Sequence, residues 1–472
     1  MVGASAGPEN FKTMKHADLA FFQGKAVPFG QNGGLNSGIG NFIHERRDVN
    51  ANTGSTGTLT RGSGFAEVDL AMDADFCGDI TIHLTRAALS ASTATVPAAN
   101  ETGGVRAYGA PFFRNNELYE SIDKVQVRHD SNVVFEILGA DMSKMYRSWS
   151  YERRAKWNKG VGAGMSVGER RIRAAASCDL YGPLILPWTF RDTLRDALPL
   201  RALRSPVTLR FYFKGLNGCV LGPSDTTGGA LSALTLRQDN YHVEANAANA
   251  IALSVARGSY QVAYLEMLRQ GAVSFTGISD TVPSTNTIQL TNFKRHAFAI
   301  ECEIQYSDHL QDVLVDNVDY YCLPATSVRV LSGNKQINVE EDYTPIADCV
   351  ASPVESLRFE DNATMFKNKP ANQVVNIVNL CSPRTFSACM NGDFNNMRAL
   401  QLYQDLQLQV VTAAKLAKYT NGGLYRGANE FRELPATVSS PIVATAMTFT
   451  AIAYTANALL LKNGKLMPLF SI

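Results

Sequence analysis

The sequence predicts an all-β protein built as two antiparallel sandwiches of about 200 residues each. Three observations predict it. Stretches that alternate apolar and polar residues recur along the chain, at 66–71, 79–85, 122–128, 133–138, 207–213, 298–305, 327–331, 374–379 and 402–411. The 36 glycines and 18 prolines are spread throughout, which suits many short elements joined by turns. Helix-like text is scarce, with 141–157 and 192–197 the better candidates in the first half and 245–256 readable as helix or strand. Strands without a helix between each pair pack antiparallel rather than as repeated βαβ units.

Composition narrows the function classes. The chain has 472 residues, 45% of them apolar, and its 44 Lys and Arg against 43 Asp and Glu leave a net charge of +1. That is globular material and excludes collagen, coiled coil and a small disulfide scaffold. Near-neutral charge also argues against wrapping long nucleic acid over the whole surface, since each neutralised phosphate needs its own cation. Residues 1–11 carry no basic segment followed by an apolar one, so a cytosolic product is expected. Eight scattered cysteines, at 77, 178, 219, 302, 322, 349, 381 and 389, form no Cys-x-x-Cys pair and have no histidine at zinc-ligand spacing. They read as buried free thiols, and no cofactor or metal is expected.

In chain order, residues 1–25 read as an N-terminal arm, 26–216 as the first sandwich, 217–245 as a linker and 246–472 as the second sandwich. The Gly/Ser/Thr-rich stretch 215–229 marks the join. The pattern of strand, polar turn and strand at 125–135 is echoed at 328–338. Tracts 31–64 and 89–104 read as long loops that reach toward a partner or a neighbouring subunit. Residues 441–461 carry no charge and are long enough to span a bilayer. Their threonines and their period of two predict a buried strand followed by a turn instead.

Several patterns bear on chemistry. Gly3-Ala-Ser5-Ala-Gly7 matches a nucleophile elbow but lacks the strand and helix that strain the serine into place, so it reads as part of a flexible arm. Gly160-Val-Gly162-Ala-Gly164 lacks the spacing of a nucleotide loop and reads as a flexible loop. His242 and Glu244, two apart on one strand face, with His296 or His309, would suit a two-His-one-carboxylate iron site. Asp69, Asp73, Asp75 and Asp79 lack calcium-loop spacing and read as a solvated face. Asn100 and Asn362 fit the glycosylation acceptor pattern, with unmodified asparagine expected where no secretory signal precedes.

Residues 144–173 are the most distinctive. Lys144, Arg147, Arg153, Arg154, Lys156, Lys159, Arg170, Arg171 and Arg173 face only Glu152 and Glu169, with Tyr146, Trp149, Tyr151 and Trp157 interleaved. Arginine beside tryptophan suits a nucleic-acid surface or a protein contact. Arg147, Trp149, Arg153, Arg154, Lys156 and Trp157 are expected to contact another subunit or a minor protein.

The run Leu186-Pro187-Trp188-Thr189-Phe190, then Ala197-Leu198-Pro199-Leu200-Arg201-Ala202-Leu203, then the strand text 207–213, resembles the major capsid proteins of nucleocytoplasmic large DNA viruses. Thr189 stands where that family has an aromatic. Leu118-Tyr119-Glu120-Ser121-Ile122 is similar to the family's first-domain hairpin, and 454–471 to its closing strand, turn and tail. The resemblance implies a double jelly roll of two eight-stranded sandwiches, with a few short helices and long loops. It implies no enzymatic activity and no small-molecule substrate. Its implied partners are two further copies in a pseudo-hexagonal homotrimer, neighbouring capsomers, and minor capsid and penton proteins, with membrane or genome contact only indirect. The location implied is the virion capsid, after synthesis in the host cytoplasm. Some family members carry sugars on outward loops, and Asn100 lies in such a tract. The alternative is a carbohydrate-binding or adhesin-like β-sandwich protein, followed by a metal-dependent jelly-roll oxygenase.

Overall fold

The computed structural model describes residues 42–51, 59–90, 111–149, 151–165, 167–190, 196–221, 226–243, 260–271, 273–276, 284–306, 325–337, 341–342, 376–380, 397–412 and 446–470. Two sets of eight strands account for most of them. The first set is β1 (Phe42–Asn50), β2 (Ala66–Asp69), β3 (Phe76–Arg86), β4 (Ile122–His129), β5 (Asn132–Leu138), β6 (Cys178–Pro183), β7 (Val207–Phe213) and β8 (Leu231–Val243). The second is β9 (Tyr260–Arg269), β10 (Ser284–Gln289), β11 (His296–Tyr306), β12 (Ala325–Ser332), β13 (Lys335–Gln336), β14 (Asn376–Asn379), β15 (Leu406–Thr412) and β16 (Ala446–Lys462). A closing strand, β17 (Lys465–Pro468), folds back on β16.

The strand orders repeat. The first set forms sheets β1-β8-β3-β6 and β2-β7-β4-β5; the second forms β9-β16-β11-β14 and β10-β15-β12-β13. Adding eight to each number in the first pair of orders yields the second pair. In each set the chain crosses between the two sheets at almost every step, and every pairing is antiparallel. Two sheets face to face with this order make a jelly roll, so the chain carries two of them.

Alternation in the sequence places the cores. In β3, Ile80, Ile82 and Leu84 point inward against Val125 and Val127 of β4 and Leu209 and Phe211 of β7. The second roll is filled by Ile300, Cys302, Val328, Val330, Leu408, Val410 and Phe449. Each fully buried aliphatic or aromatic side chain contributes roughly 1.5–3 kcal/mol. The hairpin of β4 and β5 and that of β12 and β13 occupy the same place in the two rolls, so the echo between 125–135 and 328–338 is a structural one.

Two expectations need correcting. β1 lies inside the tract read as a loop; its run His44-Glu45-Arg46-Arg47-Asp48 hides the strand pattern because β1 pairs only with β8 and leaves both faces of an edge exposed. β8 lies inside the expected linker, yet it is a central strand between β1 and β3, with Leu231, Leu234 and Leu236 buried. The glycine-rich text precedes the last strand of the first roll, and the first strand of the second roll starts at Tyr260. The expected N-terminal arm lies outside the described residues.

The uncharged C-terminal run is the strand β16, as its period indicated. It is central in its sheet, and its burial is almost continuous because one face meets the core of its own roll and the other meets the first roll. Among the described residues no helix is long and apolar enough to cross a membrane.

Candidate functional site

Five short helices gather beside the first roll. They are α1 (Glu117–Ser121), α2 (Gly139–Ser148), α3 (Tyr151–Ala155), α4 (Asn158–Val161) and α5 (Val167–Ala174). The last four fill the connection from β5 to β6 and carry the basic segment. Arg86, fully buried at the end of β3, pins this insert. Its guanidinium donates to Glu117 Oε1 (2.7 Å), to the carbonyls of Ala176 (2.7 Å), Arg173 (3.1 Å) and Ala174 (3.3 Å), and stacks on Phe113. Three of those four acceptors are carbonyls at the C-terminal end of α5, where a cation is favoured. Arg173 holds the other oxygen of Glu117 at 3.0 Å.

The triple-glycine text is packed rather than flexible. Gly160 and Val161 are buried under β6, and a side chain at Gly160 would place its Cβ 2.2 Å from the Tyr181 carbonyl oxygen. Glycine is the residue that permits this approach.

The basic residues divide into inward and outward sets. Lys144 of α2 points into the seam between the rolls, with Nζ 2.7 Å from Glu301 Oε1 and 2.5 Å from Glu303 Oε1, both on β11. Burial alone would push its pKa down, but Glu301 and Glu303 outweigh that and hold Lys144 above its ordinary value. Tyr454 of β16 donates to Glu301 Oε2 (2.5 Å), and Asp141 pairs with Arg269 of β9. Burial raises the Asp141 pKa against the pull of Arg269. Phe135 meets Tyr264 edge to face at 5.0 Å in the same seam.

Arg154 is also buried; its Nε donates to the Trp149 carbonyl (2.9 Å), and its own carbonyl accepts from the Tyr146 hydroxyl (3.1 Å). Arg170 is buried over the Phe112 ring. Arg147 falls in α2.

Outward lies an aromatic shelf. Trp149 and Trp157, both half-buried, contact Phe190 at ring separations of 5.5 Å and 6.3 Å. Phe190 has φ of 53°, a strained conformation for an aromatic residue. It is held there by its N–H donating to Asp79 Oδ1 (2.6 Å) and its carbonyl accepting from Arg153. Arg153 also lies 3.9 Å over the Trp149 ring, while the exposed Lys156 sits 5.2 Å from that of Trp157. The sequence reading missed Phe190 and Asp79 as parts of this cluster; the Pro-aromatic text at 187–190 was the available signal.

Behind the shelf, Trp188 and Thr189 are buried, and the Thr189 hydroxyl bonds the backbone. It donates to the Leu184 carbonyl (2.6 Å) and accepts from the Leu186 N–H (2.8 Å), closing the turn after the edge strand β6. Leu198 exchanges two 2.8 Å backbone hydrogen bonds with Cys77 of β3.

The other candidates do not converge. His242 pairs with Glu45 at 3.1 Å on the sheet's edge, whereas Glu244 and His309 lie outside the described residues. His296 starts β11 in the second roll. Among the described residues no group of three or more His, Cys, Asp or Glu could hold a metal ion. The aspartates do not form one solvated face: Asp69 and Asp73 are exposed, Asp75 is buried against Arg201 and the Val243 N–H, and Asp79 is half-buried. Asn100, Asn362 and the serine pattern at 3–7 lie outside the described residues.

No protein-family model matches the chain, and no curated protein sequence does. Solved structures do. A crystal structure of PBCV-1 VP54, fitted into a reconstruction of the virophage Sputnik, matches with a TM-score of 0.59 and 13% identity over 92% of this chain and 97% of that one. The Faustovirus major capsid protein matches with a TM-score of 0.56 and 10% identity over 89% and 91%. The mavirus major capsid protein gives 0.50 and 7% over 90% and 89%. The repeated strand order and these matches agree: the chain has the double jelly-roll fold of these matched capsid proteins.

Proposed function

We propose that the chain is a structural major capsid protein with no turnover of its own, three copies of which close head to tail into a pseudo-hexagonal capsomer. Capsomers then tile an icosahedral shell around a large DNA genome. One observation carries this reading. The outer face of sheet β9-β16-β11 is covered by the first roll of the same chain, through Arg269, Tyr454, Glu301 and Glu303. The same face of the first roll, on β1-β8-β3-β6, is uncovered among the described residues. It is a half-exposed polar surface on which His44 stacks with Tyr241 at 5.1 Å, His83 with Tyr181 at 5.9 Å, and Arg237 bonds Asp48 at 2.8 Å.

A second copy laid on that face would repeat, between chains, the contact already made within one. Such a contact is heterologous, and three chains of two similar rolls close it into a ring of six. Association then takes its strength from repeated burial rather than from any single strong contact. The shelf of Trp149, Phe190 and Trp157, with Lys156 and Arg153, supplies an anchor for a neighbouring capsomer or a minor capsid or penton protein. Residues 42–243 and 260–470 form the two rolls of this unit. Synthesis in the host cytoplasm leaves Asn100 and Asn362 unmodified unless a dedicated enzyme adds sugar, which an intact-mass measurement reads directly.

Electron microscopy of the purified full-length chain tests the reading. Six-lobed particles with threefold symmetry are expected; two-lobed particles throughout would overturn it.

A further inference from the structure

The hairpin between β16 and β17 turns at Asn463 and Gly464, both left-handed (φ 53° and 73°), as a tight two-residue turn requires. It projects from the second roll onto the first, where two backbone groups are held. The Arg204 N–H donates to the Gly464 carbonyl at 3.2 Å, and the Leu466 N–H donates to His129 Nδ1 at 3.3 Å. An amide can only donate, so Nδ1 is the bare nitrogen and Nε2 carries the proton, 3.0 Å from Ser205 Oγ. Ser205 donates in turn to Asp130 Oδ1 (2.5 Å), and Arg204 grips Asp130 Oδ2 through Nε (3.1 Å) and Nη2 (3.0 Å).

We infer that His129 is an acid-sensitive latch between the two rolls, because only its neutral ring can accept the Leu466 amide. Protonation would set an N–H against an N–H at a residue that is 2% exposed. The charged groups around it come from three elements. Asp130 stands on its own turn, Arg204 on the loop before β7, and the hairpin brings Lys462 and Lys465, both exposed; β7 itself places Val207 opposite the ring's backbone. Burial holds the ring's pKa below the ordinary 6.5, Asp130 and Ser205 pull it up, and Arg204 pushes it down again. A folded value below the unfolded one means the contribution is complete above pH 6.5 and is lost as pH falls through the folded value. Acid therefore frees the C-terminal hairpin and loosens the rolls while each core stays intact. The latch belongs to a single chain and is independent of whether copies associate.

Backbone hydrogen exchange of the full-length chain tests it, read on peptides spanning 463–470 at about pH 7.5 and about pH 5 and corrected for the chemical exchange rate. Protection there is expected to fall about tenfold in acid while the interiors of β4 and β7 keep theirs. In His129→Asn, whose side-chain carbonyl stands near the Nδ1 position without titrating, protection of the hairpin is expected to persist in acid. Imidazole C2 exchange on the unmodified chain gives the ring's own pKa, expected below 6.5. Unchanged hairpin protection in acid, a His129 value at or above 6.5, or loss of protection in a folded His129→Asn equal to that of the unmodified chain would each overturn the latch.

Discussion

The Lys144 ammonium lies 2.7 Å from Glu301 Oε1, joining residues 157 positions apart across the seam of the two rolls. The same ammonium meets Glu303, so one cation from the helical insert neutralises two carboxylates of the second roll. Lys144→Met takes the nearest cation from both buried carboxylates, leaving Glu303 only Arg269 at 3.6 Å and Glu301 the Tyr454 hydroxyl, at a cost of about 3 kcal/mol. Denaturant unfolding should register that loss. Adding Glu301→Gln and Glu303→Gln should recover part of it, since burying two neutral amides costs less than burying two carboxylates that have lost their nearest cation. A triple variant no more stable than the single one would count against the seam as described.

Thr189 closes the turn after β6 through two short hydrogen bonds at a buried position. Thr189→Val keeps the shape and removes the hydroxyl, leaving the Leu186 amide without its acceptor, at a cost of about 1–3 kcal/mol. Thermal unfolding reads this directly. The neighbouring Trp188→Ala should cost more, about 3–5 kcal/mol, because it opens a cavity in the core.

Asp79 is expected to respond to pH. Burial raises its carboxyl pKa, while the Phe190 N–H and the cations Arg153 and Lys156 lower it. With a folded value above 3.8, stability from this group is complete below pH 3.8 and is lost as pH rises through the folded value. Asp79→Asn keeps an acceptor for Phe190 without the charge. It should be more stable than the unmodified chain at neutral pH, with the advantage shrinking as pH falls toward 3.8. Melting curves of both proteins across that range test this, and an advantage that grows in acid would contradict it.

Arg154 and Lys156 separate folding from association. Arg154 is buried and bonded to Trp149, so Arg154→Glu should unfold the helical insert. Lys156 is exposed beside Trp157, so Lys156→Glu should change the stability of one chain by less than about 0.5 kcal/mol. If the shelf is a contact, Lys156→Glu weakens association nonetheless, as sedimentation of matched concentrations would report.

Much of the first roll was legible because its strands have one wet face. Val125, Val127, Leu209 and Phe211 alternate with polar neighbours, and the strands lie at those positions. β16 was legible for the opposite reason: an uncharged run broken by threonines at period two marks a strand covered on both sides. β1 was not, because an edge strand exposed on both faces has no apolar period. The site was harder. Nine cations in 144–173 look alike in sequence, yet Lys144, Arg154 and Arg170 are buried and Lys156 is exposed. What sorts them is the position of Glu301, Trp149 and Phe112, and separations of that kind are set by topology rather than by local pattern. Glu301 and Glu303 among Phe298, Ile300, Cys302 and Ile304 were the one clue that a cation must reach them.

Light scattering on the full-length chain after size exclusion tests the central claim most directly. If the open sheet face receives another copy, as proposed, a chain of 51.3 kDa should elute as a species of three times that mass. A mass of one chain that persists as concentration is raised would contradict it.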